Sequence, residues 1–113
     1  EGERLAVRYL KEKGFRILDR NYRNRLGEID IVAQDKDVLV FVEVRTLKET
    51  AGHSPEETIR WKKQQRISRT ALAYIQHKRL EESPARFDVV SVTLGGTRTI
   101  LRHFPDAFEL WES

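Results

Sequence analysis

Residues 38–46 read Val-Leu-Val-Phe-Val-Glu-Val-Arg-Thr. A strand that is almost continuously β-branched or apolar has no face to give to water, so it belongs at the centre of a sheet covered on both sides. A chain that contains it must supply helices for both faces. The preceding stretch, Glu28–Gln34, alternates, with Ile29, Ile31 and Ala33 expected on one face. The link Asp35-Lys36-Asp37 is short and polar, which predicts a hairpin between the two strands.

The spacing of Leu5 with Tyr9 and of Ala6 with Leu10 predicts a helix over Glu3–Gly14, stopped by the glycine. Ser54-Pro55-Glu56-Glu57 is a capping-box start for a second helix, expected to break near Trp61 and to end by Glu81 or Glu82, before Ser83-Pro84. Phe15–Arg23, Arg86–Leu94 and, after a Gly95-Gly96 turn, Thr97–His103 complete the expected strands; Pro105–Leu110 reads as a short turn or helix. The order is α-β-β-β-α-β-β, an α/β fold with a mixed central sheet flanked by helices. At 113 residues the chain is expected to form one domain, 1–113.

The absence of Cys removes disulfide scaffolds, thiolate metal sites and cysteine catalysis from consideration. With Glu at position 1 and no Met, further residues are expected to precede it. No apolar run approaches a membrane span and no signal-peptide pattern is visible, so a cytoplasmic location is expected, with no membrane partner. The net charge is only +3, but residues 60–79 carry Arg60, Lys62, Lys63, Arg66, Arg69, Lys78 and Arg79 and no acid. On a helix Lys62, Arg66 and Arg69 share one face, while Ile67, Ala71, Tyr74 and Ile75 share another that should pack on the sheet. A basic face on a mildly acidic body suits a polyanion, and equally a solvated helix surface.

Chemistry is suggested by acids inside the apolar strands. If Lys36-Asp37 is a two-residue loop, Asp30 lies opposite Glu43, and Glu28 opposite Arg45. Facing carboxylates repel, so a shared proton, a cationic side chain or a metal must offset them. A hard divalent ion takes one or two carboxylates plus water and phosphate, which Asp30 and Glu43 could supply. Cross-strand ion pairs, Glu28 with Arg45 among them, are the competing account. His53, His77 and His103 have no ligand spacing, and surface or supporting roles are expected for them.

Gly27-Glu28-Ile29-Asp30-Ile31-Val32 followed by Val40-Phe41-Val42-Glu43-Val44-Arg45-Thr46 resembles the PD-(D/E)xK nuclease motif. The match is closer to the YraN-like family of small bacterial proteins within that superfamily. It extends through Gly2-Glu3, Ala6, Tyr9-Leu10, Arg20-Asn21-Tyr22-Arg23, Lys63, Ala71, Tyr74 and Arg86-Phe87-Asp88-Val89-Val90. The resemblance implies a restriction-endonuclease-like αβββαβ core. It also implies metal-dependent phosphodiester hydrolysis of DNA, including branched or flapped DNA, and pairing of two copies as a homodimer. Carried over, Asp30 and Glu43 would hold Mg²⁺ or Mn²⁺, with the Val44 carbonyl as a further ligand. Glu3 would be the helix acid of resolvase-like members, or simply an acid suited to a helix start.

Arg45 stands where the motif has lysine. Arg keeps its proton but can fork phosphate oxygens. Lys63 is a candidate substitute, or one more cation on a basic face. Lys62, Lys63, Arg66 and Arg69 are the expected nucleic-acid contacts. Three functions follow as expectations: a metal-dependent endonuclease, a non-catalytic nucleic-acid-binding module on the same fold, and a protein–protein adaptor.

Overall fold

The computed structural model describes residues 1–48, 61–95 and 98–109. The elements run α1 (Gly2–Glu12), β1 (Arg16–Asn24), β2 (Gly27–Asp35), β3 (Val38–Lys48), α2 (Trp61–His77), β4 (Ala85–Leu94) and β5 (Ile100–Phe108). The expected α-β-β-β-α-β-β order is the observed one. The predicted helix start at Ser54-Pro55, together with His53, Gly96, Thr97 and Leu110, lies outside the described residues.

The five strands form one mixed sheet in the order β1-β2-β3-β4-β5. All neighbours are antiparallel except β3 and β4, which run parallel. β3 is central and its apolar side chains divide between two cores. Val40 and Val42 pack with Ile31, Ala33, Val90 and Val92 under α1, which contributes Ala6, Val7 and Leu10. Leu39 and Phe41 pack with Val32 and Phe87 under α2, which contributes Ile67, Ala71, Tyr74 and Ile75. The helices therefore cover opposite faces, as a doubly buried strand requires.

Capping geometry fixes the helix ends. The chain leaves α1 through Gly14, and the Phe15 N–H returns to the Leu10 carbonyl at 2.9 Å. α2 ends at His77, short of the predicted Glu81. Arg79 turns left-handed (φ 58°) and the Leu80 N–H closes on the Ile75 carbonyl at 2.9 Å. Leu80 packs against the α2-side core, so an apolar contact ends the helix before the proline is reached.

Two further expectations are corrected. β5 spans Ile100–Phe108 rather than ending at His103, so Pro105 and Asp106 belong to a strand and not to a turn or helix. Its pairing with β4 shifts between Phe87 and Val89, and Asp106 takes a positive φ of 54°. A bulge on an edge strand accommodates the proline, whose missing N–H would break an inner ladder. Ile29 does not share a face with Ile31 and Ala33; it packs with Val32 and Ile67 on the α2 side. The cause lies at Asp30. Among the described residues no helix is long and apolar enough to cross a membrane.

Candidate active site where two strands part

The two-residue Lys36-Asp37 loop sets the β2–β3 register, with Asp35 opposite Val38 and Ile31 opposite Val42. Continued one step, this register places Asp30 opposite Glu43. The ladder stops first. Asp30 Oδ2 accepts the Val44 N–H at 2.8 Å, so a carboxylate stands where a strand carbonyl would. The local departure from strand geometry turns Ile29 toward α2 and leaves the two acids facing one another.

Glu43 is 7 % exposed, a low value for a carboxylate. The Asp30 and Glu43 carboxyls are near enough for the Glu43 charge to act on Asp30, and Glu3 adds its field. Burial first, then the Glu43 charge, push the Asp30 carboxyl up to about 7, against the Val44 N–H, which favours its charged form. A pair in which one member keeps its proton near neutrality is a pair whose repulsion is incompletely offset. The available cation is Lys63, whose Nζ sits 2.5 Å from Glu43 Oε2. A cleft of about 190 Å³ opens here, lined by Gly27, Glu28, Glu43, Lys63, Arg66 and Ile67. Two converging carboxylates, one of them at an open cleft, are a donor set that suits a hard divalent ion. Among the described residues no three His, Asp or Glu side chains come together as a ligand group.

The other expected residues are placed as follows. Glu3, in the first turn of α1, is held by Asn21 Nδ2 at 2.9 Å and Arg20 Nη2 at 3.4 Å, and acts on Asp30 through its field. Asn21 adopts a left-handed φ of 53° in doing so. Glu28 does not pair with Arg45. It is exposed and salt-bridged to Arg23, its β1 neighbour in the ladder. Arg45 is half-buried and, among the described residues, has no hydrogen-bond or salt-bridge partner. Lys62, Arg66 and Arg69 are exposed along α2, again without a carboxylate partner among the described residues; together with Gln65 they line a shallow depression. Tyr74 is core and donates its hydroxyl to Asp19 at 2.7 Å, whereas Trp61 is exposed.

One polar cluster escaped the sequence reading. Asp88 is fully buried, accepting from Arg86 Nε at 2.9 Å and from the Asp106 N–H at 3.0 Å. His103 Nε2 lies 2.7 Å from its Oδ2, and His103 Nδ1 meets the Tyr9 hydroxyl at 3.2 Å. Burial works to raise the Asp88 carboxyl, but the hydrogen bonds from His103, Arg86 and Asp106 outweigh it and hold it below the usual carboxylate range. The saturation of Asp88 by protein donors makes it a structural acid, in contrast to Asp30. The signal in the sequence was an Asp at an inward position of an apolar strand, with Arg two residues before it.

A sequence profile described as "Uncharacterised protein family UPF0102" matches residues 2–92. The chain belongs to this family. A UPF0102 protein of Syntrophus aciditrophicus is 48 % identical over 109 residues, covering 96 % of this chain and 86 % of the relative. That of Anaeromyxobacter dehalogenans is 49 % identical over 110 residues, covering 96 % and 81 %. That of Alkaliphilus oremlandii is 48 % identical over 109 residues, covering 95 % and 93 %. The UPF0102 match contains both strands of the acid pair, Glu3, Lys63 and the basic row of α2.

Proposed function

We propose that this UPF0102 protein is a metal-dependent endonuclease of the PD-(D/E)xK type that hydrolyses DNA phosphodiesters. The observation that carries the reading is the juxtaposition of the Asp30 and Glu43 carboxyls where the β2–β3 ladder ends, with Glu43 opening onto a cleft that Lys63 and Arg66 also line. Asp30, Glu43 and the Val44 carbonyl would hold Mg²⁺ or Mn²⁺. Such an ion, when bound, neutralises phosphate charge and lowers the pKa of water. The chain's own groups then have separate tasks. Arg45, without a partner among the described residues and permanently charged, forks two non-bridging phosphate oxygens. Lys63 carries a compact ammonium beside Glu43 and would stabilise charge on the departing sugar oxygen. Lys62, Arg66 and Arg69 hold the flanking backbone. The test is cleavage of duplex, single-stranded and branched DNA with Mg²⁺ or Mn²⁺; no cleavage under any of these conditions would refute it.

Arg45 at the motif's lysine position favours one second reading, a nucleic-acid-binding module without turnover. Arg45→Lys separates the two. In the nuclease it is expected to raise single-turnover cleavage about tenfold, part of what a positioned proton-transfer group contributes, without tightening DNA binding. Arg45→Ala should reduce cleavage. Cleavage that survives Arg45→Ala undiminished would show that position 45 takes no part.

Both readings require the α2 row to meet phosphate. DNA affinity should fall with salt with a log–log slope of about −0.9 for each phosphate contacted on duplex. Replacing Lys62, Arg66 and Arg69 together by Ala should weaken binding and flatten that slope by about 2 or more. Equal slopes for parent and triple variant would make the row a solvated surface only.

A further inference from the structure

We propose that the tip of the β1–β2 hairpin is a wedge for interrupted DNA. Leu26 enters the base stack at a gap or unpaired step, while Arg25 and the α2 row hold the flanking phosphates. The proposal rests on the nuclease reading of the adjoining cleft and adds to it a substrate class and the residue that selects it.

Leu26 is 43 % exposed at the apex between β1 and β2, a large apolar side chain that contributes to neither core. The apex is built rather than loose. Asn24 Oδ1 accepts the Leu26 N–H at 2.8 Å and the Gly27 N–H at 3.3 Å, an arrangement that fixes a tight turn. Gly27 then seats the tip on α2: a Cβ there would lie 2.7 Å from Thr70 Oγ1 and 3.6 Å from the Arg66 carbonyl oxygen. Only glycine permits so close an approach. The apex is thereby registered against the basic row, and Gly27 and Glu28 line the cleft that holds Glu43 and Lys63.

The charges around the apex say what it meets. Arg23 is engaged by Glu28, but Arg25 is exposed and has no partner among the described residues. An apolar prong set among cations that have no partner among the described residues matches a polymer whose phosphates take the cations and whose bases offer apolar faces. Inserting a side chain into continuous duplex costs unstacking, whereas at a gap that cost is already met, so a wedge discriminates in favour of the interruption.

The test uses the full chain in EDTA, so that binding is read without cleavage. Three probes are compared by fluorescence anisotropy: a continuous duplex, the same duplex with a two-nucleotide gap flanked by 2-aminopurine, and anionic phospholipid vesicles. The parent is expected to prefer gapped over continuous duplex by about tenfold, within what one stacked base contributes, and to brighten the 2-aminopurine. Leu26→Ser should abolish both effects while leaving affinity for continuous duplex, its salt slope and the melting temperature unchanged. Salt-dependent binding to both DNAs with equal affinity would overturn the wedge and leave the nuclease reading standing. Absence of binding to any DNA would overturn the wedge, and the nuclease reading is then judged by the cleavage test with metal. Vesicle binding lost in Leu26→Ser, with the preference for the gap unaltered, would assign the prong to a lipid surface and overturn the wedge.

Discussion

Replacing Asp30 by Asn is expected to lower metal-dependent DNA cleavage by at least about a hundredfold and, in the same protein, to raise the stability of the metal-free fold at neutral pH. The loss follows from removing one of two carboxylates that hold the ion. The gain follows from the raised carboxyl of Asp30, about 7 in the fold against 3.8 unperturbed. A folded state that keeps a proton which the unfolded chain releases becomes less stable as pH rises between those two values, and levels off above the higher one. The penalty is absent below about pH 4 and full above about pH 7. It is on the order of 2–4 kcal/mol, the lower figure allowing for solvent screening at a group that is only partly buried. Asn cannot ionise, still accepts the Val44 N–H and can donate toward Glu43. Urea unfolding in EDTA at pH 5 and pH 8 reads the effect: the parent should lose stability between the two and Asp30→Asn should not. Parallel behaviour would show that Asp30 is not the strained acid.

Asp88→Ala is expected to act in the opposite direction, with a loss of about 3–5 kcal/mol at pH 7, the usual cost of removing one partner from a buried charged pair. It would leave Arg86 and His103 facing an empty site and release the Asp106 N–H that anchors β5. A domain of this size has only about 5–15 kcal/mol in total, so the variant should be close to unfolding, and its denaturation midpoint reads this directly. The depressed carboxyl of Asp88 has its own pH signature. Its contribution is present above the ordinary carboxylate range and is lost as pH falls through the folded value. A half-buried and a fully buried acid on one sheet thus oppose each other. Stability unaffected by Asp88→Ala would remove that contrast.

What could be read from the sequence was what periodicity and turn chemistry encode. The Val38–Thr46 run announced a doubly covered strand, and the two-residue loop at Lys36-Asp37 fixed the register that brings Asp30 toward Glu43. What could not be read depended on side chains replacing backbone. Asp30 takes an amide from the β3 ladder, so Ile29 changes face against its own alternation. Asp88 takes the Asp106 amide, so β5 continues through a proline. Lys63 reads as one of several cations along a helix; only its placement over β3 singles it out as the partner of Glu43. Glu28 was expected to face Arg45, but it pairs with Arg23, its neighbour across the β1–β2 ladder.

The positive-φ residues Asn21 and Asp106 lie on β1 and β5, the two outermost strands. The pairing of each of these strands with its neighbour is interrupted, by a register shift between Ile17 and Asp19 in β1 and one facing Asp106 in β5. β1 adds the exposed charges Arg16, Arg20 and Arg23, and β5 adds Arg102 and Pro105. Such interruptions, cations and proline are the means by which sheet edges resist templating another chain. Both borders of the sheet thus carry features that disfavour strand-to-strand growth. Two copies that associate are expected to meet through a helical face or a loop, not by merging their sheets into one of ten strands.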